Sequence, residues 1–439
     1  MSTPDRESNP PGRDPGIDLL RGIAILAVVI FHLWGFTVGR FVFPPRHSDL
    51  LSEIGEHLQD FALLPAVTAG FELAFRSGRD GVSMFLVLSG TALTIGALNS
   101  GIDNYATYYT RRLSRLLRPY WAGIAVVVVS LFLLAIPKTI LDGGSFTHNW
   151  THIGRASYFD LELLLAGIAL IPRAFRLEWV FAPPNPLWFV VLILQFYLVF
   201  PWLFRAARQY GVASLLVGSL ALSLASTAGL LLYYDGQLGI HGWITTIWLP
   251  FRLFDFVIGM AVGFVLVHKR ERARQLTTGM LPTVALTAAG VVLYLLGAVI
   301  DDDDGYYRVL AFPLIAAGLA ALALPFLVKA PGRLEASALG RTLIWIGPMS
   351  LAVLIMNEPF RFVDHYLWYK DLSWTPAWWF YAVVIYVPGT LITAALFSRA
   401  LGLTPADHPT QLFREFRERR RKPPVTSASA YAQSHPRRD

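Results

Sequence analysis

Arg21 and His32 are the residues around which a chemical reading of this chain turns. They stand in Asp18–His32, an apolar run that a plain membrane anchor would build without either type. At about 100° per residue, a spacing of eleven returns His32 to nearly the same helical face as Arg21, about 16 Å further along the axis. One face then presents a fixed cation and, at a second depth, an imidazole suited to general-base or nucleophilic work. Asp18, three residues before Arg21, is placed to orient that guanidinium. Ionisable groups inside a span usually face a bundle interior or a wet cavity. The competing reading has Arg21 snorkelling to the interface and His32 hydrogen-bonded to a neighbouring helix.

A second group lies in Tyr108–Trp121. Arg112 and Arg115 are three apart and share a helical face, and Arg111 and Arg118 widen the patch. Planar guanidinium forks match phosphate oxygens, so four at one membrane face suit a polyphosphate such as the nucleotide end of coenzyme A. Ordinary positive-inside topology also explains them. Arg252 with Asp255, and Glu358 with Arg361 beside Asn357, read as local ion pairs that make buried charge tolerable. The run Asp301–Asp304 reads as a solvated turn rather than a cation site, and His148 with His152 lies in a loop without the pattern of a zinc site. No phosphate-binding Gly-Lys loop, no Gly-x-Ser-x-Gly elbow and no His-x4-Asp pair is present, which sets aside P-loop ATPases, serine hydrolases and the glycerolipid acyltransferases.

The elements that must position these groups are membrane helices. Of 439 residues, 54% are hydrophobic and 15% charged, with a mean hydropathy of +0.49. That balance excludes an ordinary water-soluble domain, and the apolar windows are too long for barrel strands. The fold class expected is all-α, a polytopic membrane protein with spans near 17–39, 81–98, 119–136, 187–204, 211–233, 245–267, 280–300, 306–328, 342–362 and 377–398. Arginine and lysine collect on Asn99–Arg118, Arg205–Arg208, His268–Arg274 and Lys329–Arg341, which makes those the inner loops and both termini cytoplasmic. Arg40–Asp80, Pro137–Pro186, Asp235–Ile240, Asp301–Gly305 and Val363–Pro376 are then the outer ones. The apolar segment 159–171 is too short to span and carries Asp160 and Glu162, so it reads as interfacial or re-entrant. Residues 1–15 read as a disordered lead, 16–400 as the membrane domain, and 401–439 as a basic, partly disordered cytoplasmic tail whose arginines suit anionic membrane lipid. The net charge of +7 sits in short loops, which argues against nucleic acid, and the absence of cysteine excludes thiol chemistry and Cys-based metal sites.

Several stretches together resemble the membrane-bound acyltransferase-3 family from Gly16 to about Leu396. They are Gly16–Leu26 with His32, matching an Arg/Lys-x10-His first helix; Gly81–Gly90; Arg112-x-x-Arg115 before Pro119-Tyr-Trp; Pro186-Leu-Trp; Gln195–Pro201; and Arg252-x-x-x-Phe256-x-x-Gly259. The resemblance implies acyl transfer, most often of acetyl, from acyl-CoA to a hydroxyl of a carbohydrate or glycolipid of the cell envelope, with no metal. By the same analogy Arg21 and His32 are the essential pair, and Arg112 and Arg115 contact acyl-CoA. The chain departs from the pattern at Ile193 and Leu194, where many members carry an acidic pair, at Asn357, where many have histidine, and at Ser83, where aspartate is frequent.

Two functions fit these residues. In an enzyme, acyl-CoA docks on the arginine patch, His32 serves as general base or transient acyl carrier, and Ser89-Gly90 allows close approach of a helix or ligand. In a carrier, Arg21 and His32 form a proton-coupled gate for a glycolipid or small molecule. Trp150, Trp243, Trp368, Trp374, Trp378 and Trp379, near the outer loops, supply either sugar-stacking surfaces or an interfacial aromatic belt.

Overall fold

Apolar helices satisfy their backbone groups internally, the condition for crossing hydrocarbon. The computed structural model describes residues 14–37, 45–102, 104–151, 187–238, 241–277, 279–302, 305–329, 337–367 and 375–403. Among these, ten helical segments are long and apolar enough to cross a membrane, at the ten places hydropathy indicated. The protein is an all-α polytopic membrane protein. The lead 1–13, the segment 159–171 and the tail from 404 lie outside the described residues, as do Trp368, Trp374 and the side chain of Trp150.

In chain order the helices are α1 (Pro15–Thr37), α2 (His47–Gln59), α3 (Leu63–Arg76), α4 (Gly81–Ser100), α5 (Tyr105–Asp142), α6 (Phe146–Thr151), α7 (Trp188–Tyr210), α8 (Val212–Tyr233), α9 (Gly242–Ile247) and α10 (Leu249–His268). They continue with α11 (Arg270–Thr277), α12 (Met280–Asp302), α13 (Ala311–Lys329), α14 (Ala338–Ile346), α15 (Ser350–Leu367), α16 (Pro376–Phe380) and α17 (Val387–Ala400). Consecutive spans alternate in direction. We call the end at which α1 begins the proximal face and the other the distal face.

Four local expectations change. The stretch Arg40–Asp80 is not a loop: α2 and α3 form a helical pair in it, and α3 runs through a 3-10 turn at Ser77–Asp80 into α4. Pro65 falls in the first turn of α3, where a missing N–H costs nothing. Asn99–Arg118 is largely helix, because Asn104 caps α5 by accepting from the Thr107 amide at 3.2 Å. The arginine patch therefore sits on a rigid helix rather than a loop. Asp301 and Asp302 are not a solvated turn but the buried end of α12. The α3–α4 junction brings Arg79 to Asp301 and Arg76 to Asp302, and the His47 backbone N–H and Nδ1 both lie 2.6 Å from Asp302. His148 likewise lies in the short α6 rather than in a loop. Among the described residues no cluster of three His, Cys, Asp or Glu could hold a metal.

The packing explains why the family-like stretches have their spelling. A Cβ on Gly90 would strike the carbonyl oxygen of Phe256, and one on Gly259 would strike that of Val87, so α4 and α10 meet backbone to backbone. Thr91 Oγ1 seals the contact, 2.9 Å from both the Val87 and Gly259 carbonyls. Pro201 in α7 cannot donate to the carbonyl of Tyr197, and the Tyr108 hydroxyl donates to it instead at 3.2 Å, joining α5 to α7. The sixth span is broken at Trp248, whose backbone is extended (φ −94°, ψ 133°). Gln195 of α7 bridges the break: its Nε2 donates to the Ile247 carbonyl at 3.0 Å and its Oε1 accepts from the Leu249 amide at 3.1 Å. Ser223 of α8 is inserted one turn below, donating to the Pro250 carbonyl at 3.0 Å and accepting from the Phe254 amide at 3.2 Å.

Candidate functional site

On α1 the positions 21, 25, 28 and 32 form a single stripe, and all four line one cavity of about 560 Å³. The helical register thus puts Arg21 and His32 on the same wall, with Arg21 toward the proximal face and His32 toward the distal one. Arg112 and Arg115 of α5 line the same cavity beside Leu116. Arg111 and Arg118 are exposed and do not line it. Ser89 does, whereas Gly90 faces α10 as described. Asp18 is buried, with its backbone against Gly347, and does not line the cavity.

The distal half of the cavity brings in groups that no single stretch of sequence connects. Arg252 donates to Ser83 Oγ at 2.6 Å, pairs with Asp255 at 2.8 Å and stacks on the Phe312 ring at 3.9 Å from its centroid. Ser83, where aspartate is frequent, therefore still engages this arginine, while the carboxylate partner comes from Asp255 one turn away. Arg76, Arg79 and Arg308 reach the cavity too, held by Asp302 and Asp301. Trp188 and Trp243, with ring centroids 6.0 Å apart, wall this end, and Ile193 presents an apolar side where the family pattern has acid.

His32 has a partner that sequence reasoning placed among structural polar groups. Asn357 Nδ2 of α15 lies 2.9 Å from His32 Nδ1, and the Tyr386 hydroxyl donates to Asn357 Oδ1 at 2.8 Å. Asn357 and Tyr386 are both fully buried. Tyr386 closes a π-helical turn, Tyr381–Tyr386, just ahead of Pro388, and that wider turn aims its hydroxyl across the bundle. Arg361, four residues beyond Asn357 and so on the same face of α15, lines the cavity with Glu358 as its ion-pair partner. The expected pairs 252–255 and 358–361 form, and in both the arginine also faces the cavity. A polar residue in an apolar span was the only sequence signal for Asn357, and Tyr386 gave none.

The charges are distributed unevenly. Arg76, Arg79, Arg252, Arg308 and Arg361 each have a carboxylate partner. Among the described residues Arg21, Arg112 and Arg115 have none, and the cavity-lining acids, Asp80 and Asp301, are both distal. The proximal half is therefore cationic and the distal half balanced. A balanced wall of Arg–Asp pairs with two tryptophans offers paired donors and acceptors and flat apolar faces. The cationic half offers phosphate-matching forks without competition from carboxylates.

Compared with known proteins, residues 14–399 match a family model described as an acyltransferase domain. No curated protein and no solved structure matches the chain.

Proposed function

The chain belongs to the acyltransferase-3 family, and from that premise we propose that it moves an acyl group, most simply acetyl, from acyl-CoA to a hydroxyl of a carbohydrate or glycolipid of the cell envelope. The observation that carries this reading is the charge asymmetry along one cavity with His32 between its halves. A polyanionic donor fits Arg21, Arg112 and Arg115, which have no carboxylate partner among the described residues. The positive-inside rule puts that end in the cytoplasm, where acyl-CoA is found. Arg21 and His32 are about 16 Å apart along α1. That is close to the reach of a pantetheine arm, about twelve bonds or roughly 14 Å at the rise per bond of an extended peptide. A donor phosphate at Arg21 thus delivers a thioester near His32. An uncharged, hydroxyl-rich acceptor fits the distal half, with Trp188 and Trp243 as stacking faces.

With Nδ1 engaged by Asn357, the nitrogen of His32 that does the chemistry is Nε2. As general base it takes the proton of the acceptor hydroxyl while the C–O bond forms, and returns it to the thiolate as the C–S bond breaks. As acyl carrier it attacks the thioester itself and is relieved by the acceptor hydroxyl. Arg361, on the same face of α15 as Asn357, is placed to stabilise the carbonyl oxygen as it gains charge.

The test is release of coenzyme A from acetyl-CoA by purified protein in nanodiscs, with and without a crude envelope glycolipid extract. The chain has no cysteine, so a thiol reagent reads coenzyme A without protein background. Release that requires the extract and vanishes in His32→Ala is the expected result. A single-turnover burst without extract selects the acyl-carrier route. Absence of both release and acetyl-CoA binding refutes the proposal and favours a carrier.

A further inference from the structure

We propose that Asn357, held by Tyr386, is a positioning residue that sets the tautomer of His32, an inference that rests on the proposed role of His32 in acyl transfer. The imidazole, the carboxamide and the phenol form one chain, with separations of 2.9 Å and 2.8 Å. A carboxamide carries a donor on one side and an acceptor on the other, and a phenol hydroxyl does both. The chain therefore has two arrangements in which His32 Nδ1 and both amide groups are bonded. In the one present, Asn357 Nδ2 donates to His32 Nδ1, Tyr386 donates to Oδ1, and the imidazole proton resides on Nε2. A half-turn of the carboxamide reverses every bond: His32 Nδ1–H donates to Oδ1, Nδ2 donates to the Tyr386 oxygen, and Nε2 holds a lone pair.

Both Asn357 and Tyr386 are wholly buried. Leaving either amide atom without a partner there carries the full desolvation cost, so the carboxamide occupies one arrangement or the other rather than a continuum between them. The arrangements correspond to the two demands of the transfer. The Nε2 lone pair accepts the hydroxyl proton, or attacks the thioester, and the positive imidazolium that follows keeps its Nδ1–H on the amide oxygen. The present arrangement, with Nε2–H, is a resting state that can donate but cannot take a proton at that atom. The switch needs no backbone movement: the carboxamide turns, the Nε2 proton is released into the cavity, a proton is taken up at Nδ1, and the Tyr386 hydroxyl turns from donor to acceptor toward the amide.

Three substitutions separate this role from a structural one. Asn357→Asp places an acceptor-only group of the same shape at His32, which holds the proton on Nδ1. Its kcat for coenzyme A release from acetyl-CoA, with the envelope extract as acceptor source, is expected within about threefold of wild type. Asn357→Leu removes the partner, and kcat falls by about 10²-fold while the KM for acetyl-CoA stays within about twofold. Tyr386→Phe leaves the carboxamide with one anchor and gives an intermediate loss, about tenfold. Thermal unfolding of each variant reports whether the bundle is intact. Equal losses in the Asp and Leu variants, or a Leu variant with unchanged kcat, would overturn the inference while His32→Ala remains inactive. An active His32→Ala, or a wild type that releases no coenzyme A, overturns the reading of the site and this inference with it.

Discussion

Gln195 bridges the break in the sixth span, and replacing it tests the architecture of the distal half. Its carboxamide meets the Ile247 carbonyl at 3.0 Å and the Leu249 amide at 3.1 Å, one on each side of the break. Gln195→Met keeps the length of the side chain and removes both bonds. Each backbone group left without a partner at that depth costs about 1–3 kcal/mol. The six-residue α9 can shift enough to recover part of this, so the expected loss is about 2–4 kcal/mol rather than the full sum. Gln195→Glu separates the bonds. Protonated, the carboxyl replaces both; ionised, it still accepts from Leu249 but meets the Ile247 carbonyl with like polarity. That variant is therefore expected to be close to wild type in acid and to lose stability as pH rises. Denaturant titration in mixed micelles, followed by tryptophan fluorescence, reads the change, and acetyl-CoA affinity should stay unchanged because the proximal half is untouched. A Gln195→Met protein within about 0.5 kcal/mol of wild type would refute the claim that this carboxamide, rather than water or a rearranged helix, satisfies the break.

Further outcomes follow from the same geometry. Arg112→Ala and Arg115→Ala, which line the cavity, are each expected to raise the KM for acetyl-CoA about tenfold in steady-state assays, whereas Arg111→Ala and Arg118→Ala, which do not, change it by less than about twofold. Gly90→Ala forces α4 from α10 and should cost about 1–3 kcal/mol by denaturant titration; Gly218→Ala on α8, where a Cβ meets nothing, should be neutral or stabilising by up to about 1 kcal/mol. Asp302→Ala leaves Arg76 and His47 buried without their shared carboxylate, and the expected loss is about 3 kcal/mol, with proteolysis between α2 and α3 accelerated as that pair detaches.

The number and places of the spans were legible because twenty apolar residues in a row have few alternatives. So was the shared face of Arg21 and His32, which depends only on helical register within one segment. What could not be read was any relation between segments. Asn357 and His32 are 325 residues apart in the chain, and the residue that orients Asn357 comes from a π turn that no pattern of hydropathy announces. Asp301 and Asp302 were misread for a related reason. An acidic run looks like a solvated turn unless one knows that α3 continues into α4 and delivers Arg76 and Arg79 to it.

The distribution of carboxylates carries more information than the arginines themselves. A cation placed inside a bundle is costly and is normally made tolerable by an acid on a neighbouring turn or helix, as at Arg252 and Arg361, both i, i+3 pairs fully buried. Arg21 lies on a membrane-spanning helix, yet among the described residues no acid answers it, nor Arg112 and Arg115 beside it in the cavity wall. Cations that line one cavity repel one another, and the anionic donor proposed above would offset that repulsion while it is bound. Plain inner-face topology explains exposed positions such as Arg111 and Arg118, which water and lipid phosphate reach. Arg115 is exposed as well, whereas Arg21 and Arg112 are half-buried and line the cavity, where topology alone does not place a cation. The same reasoning favours the uncharged acceptor proposed for the distal half, since an anion would have to compete with the carboxylates paired to Arg76, Arg79, Arg252, Arg308 and Arg361.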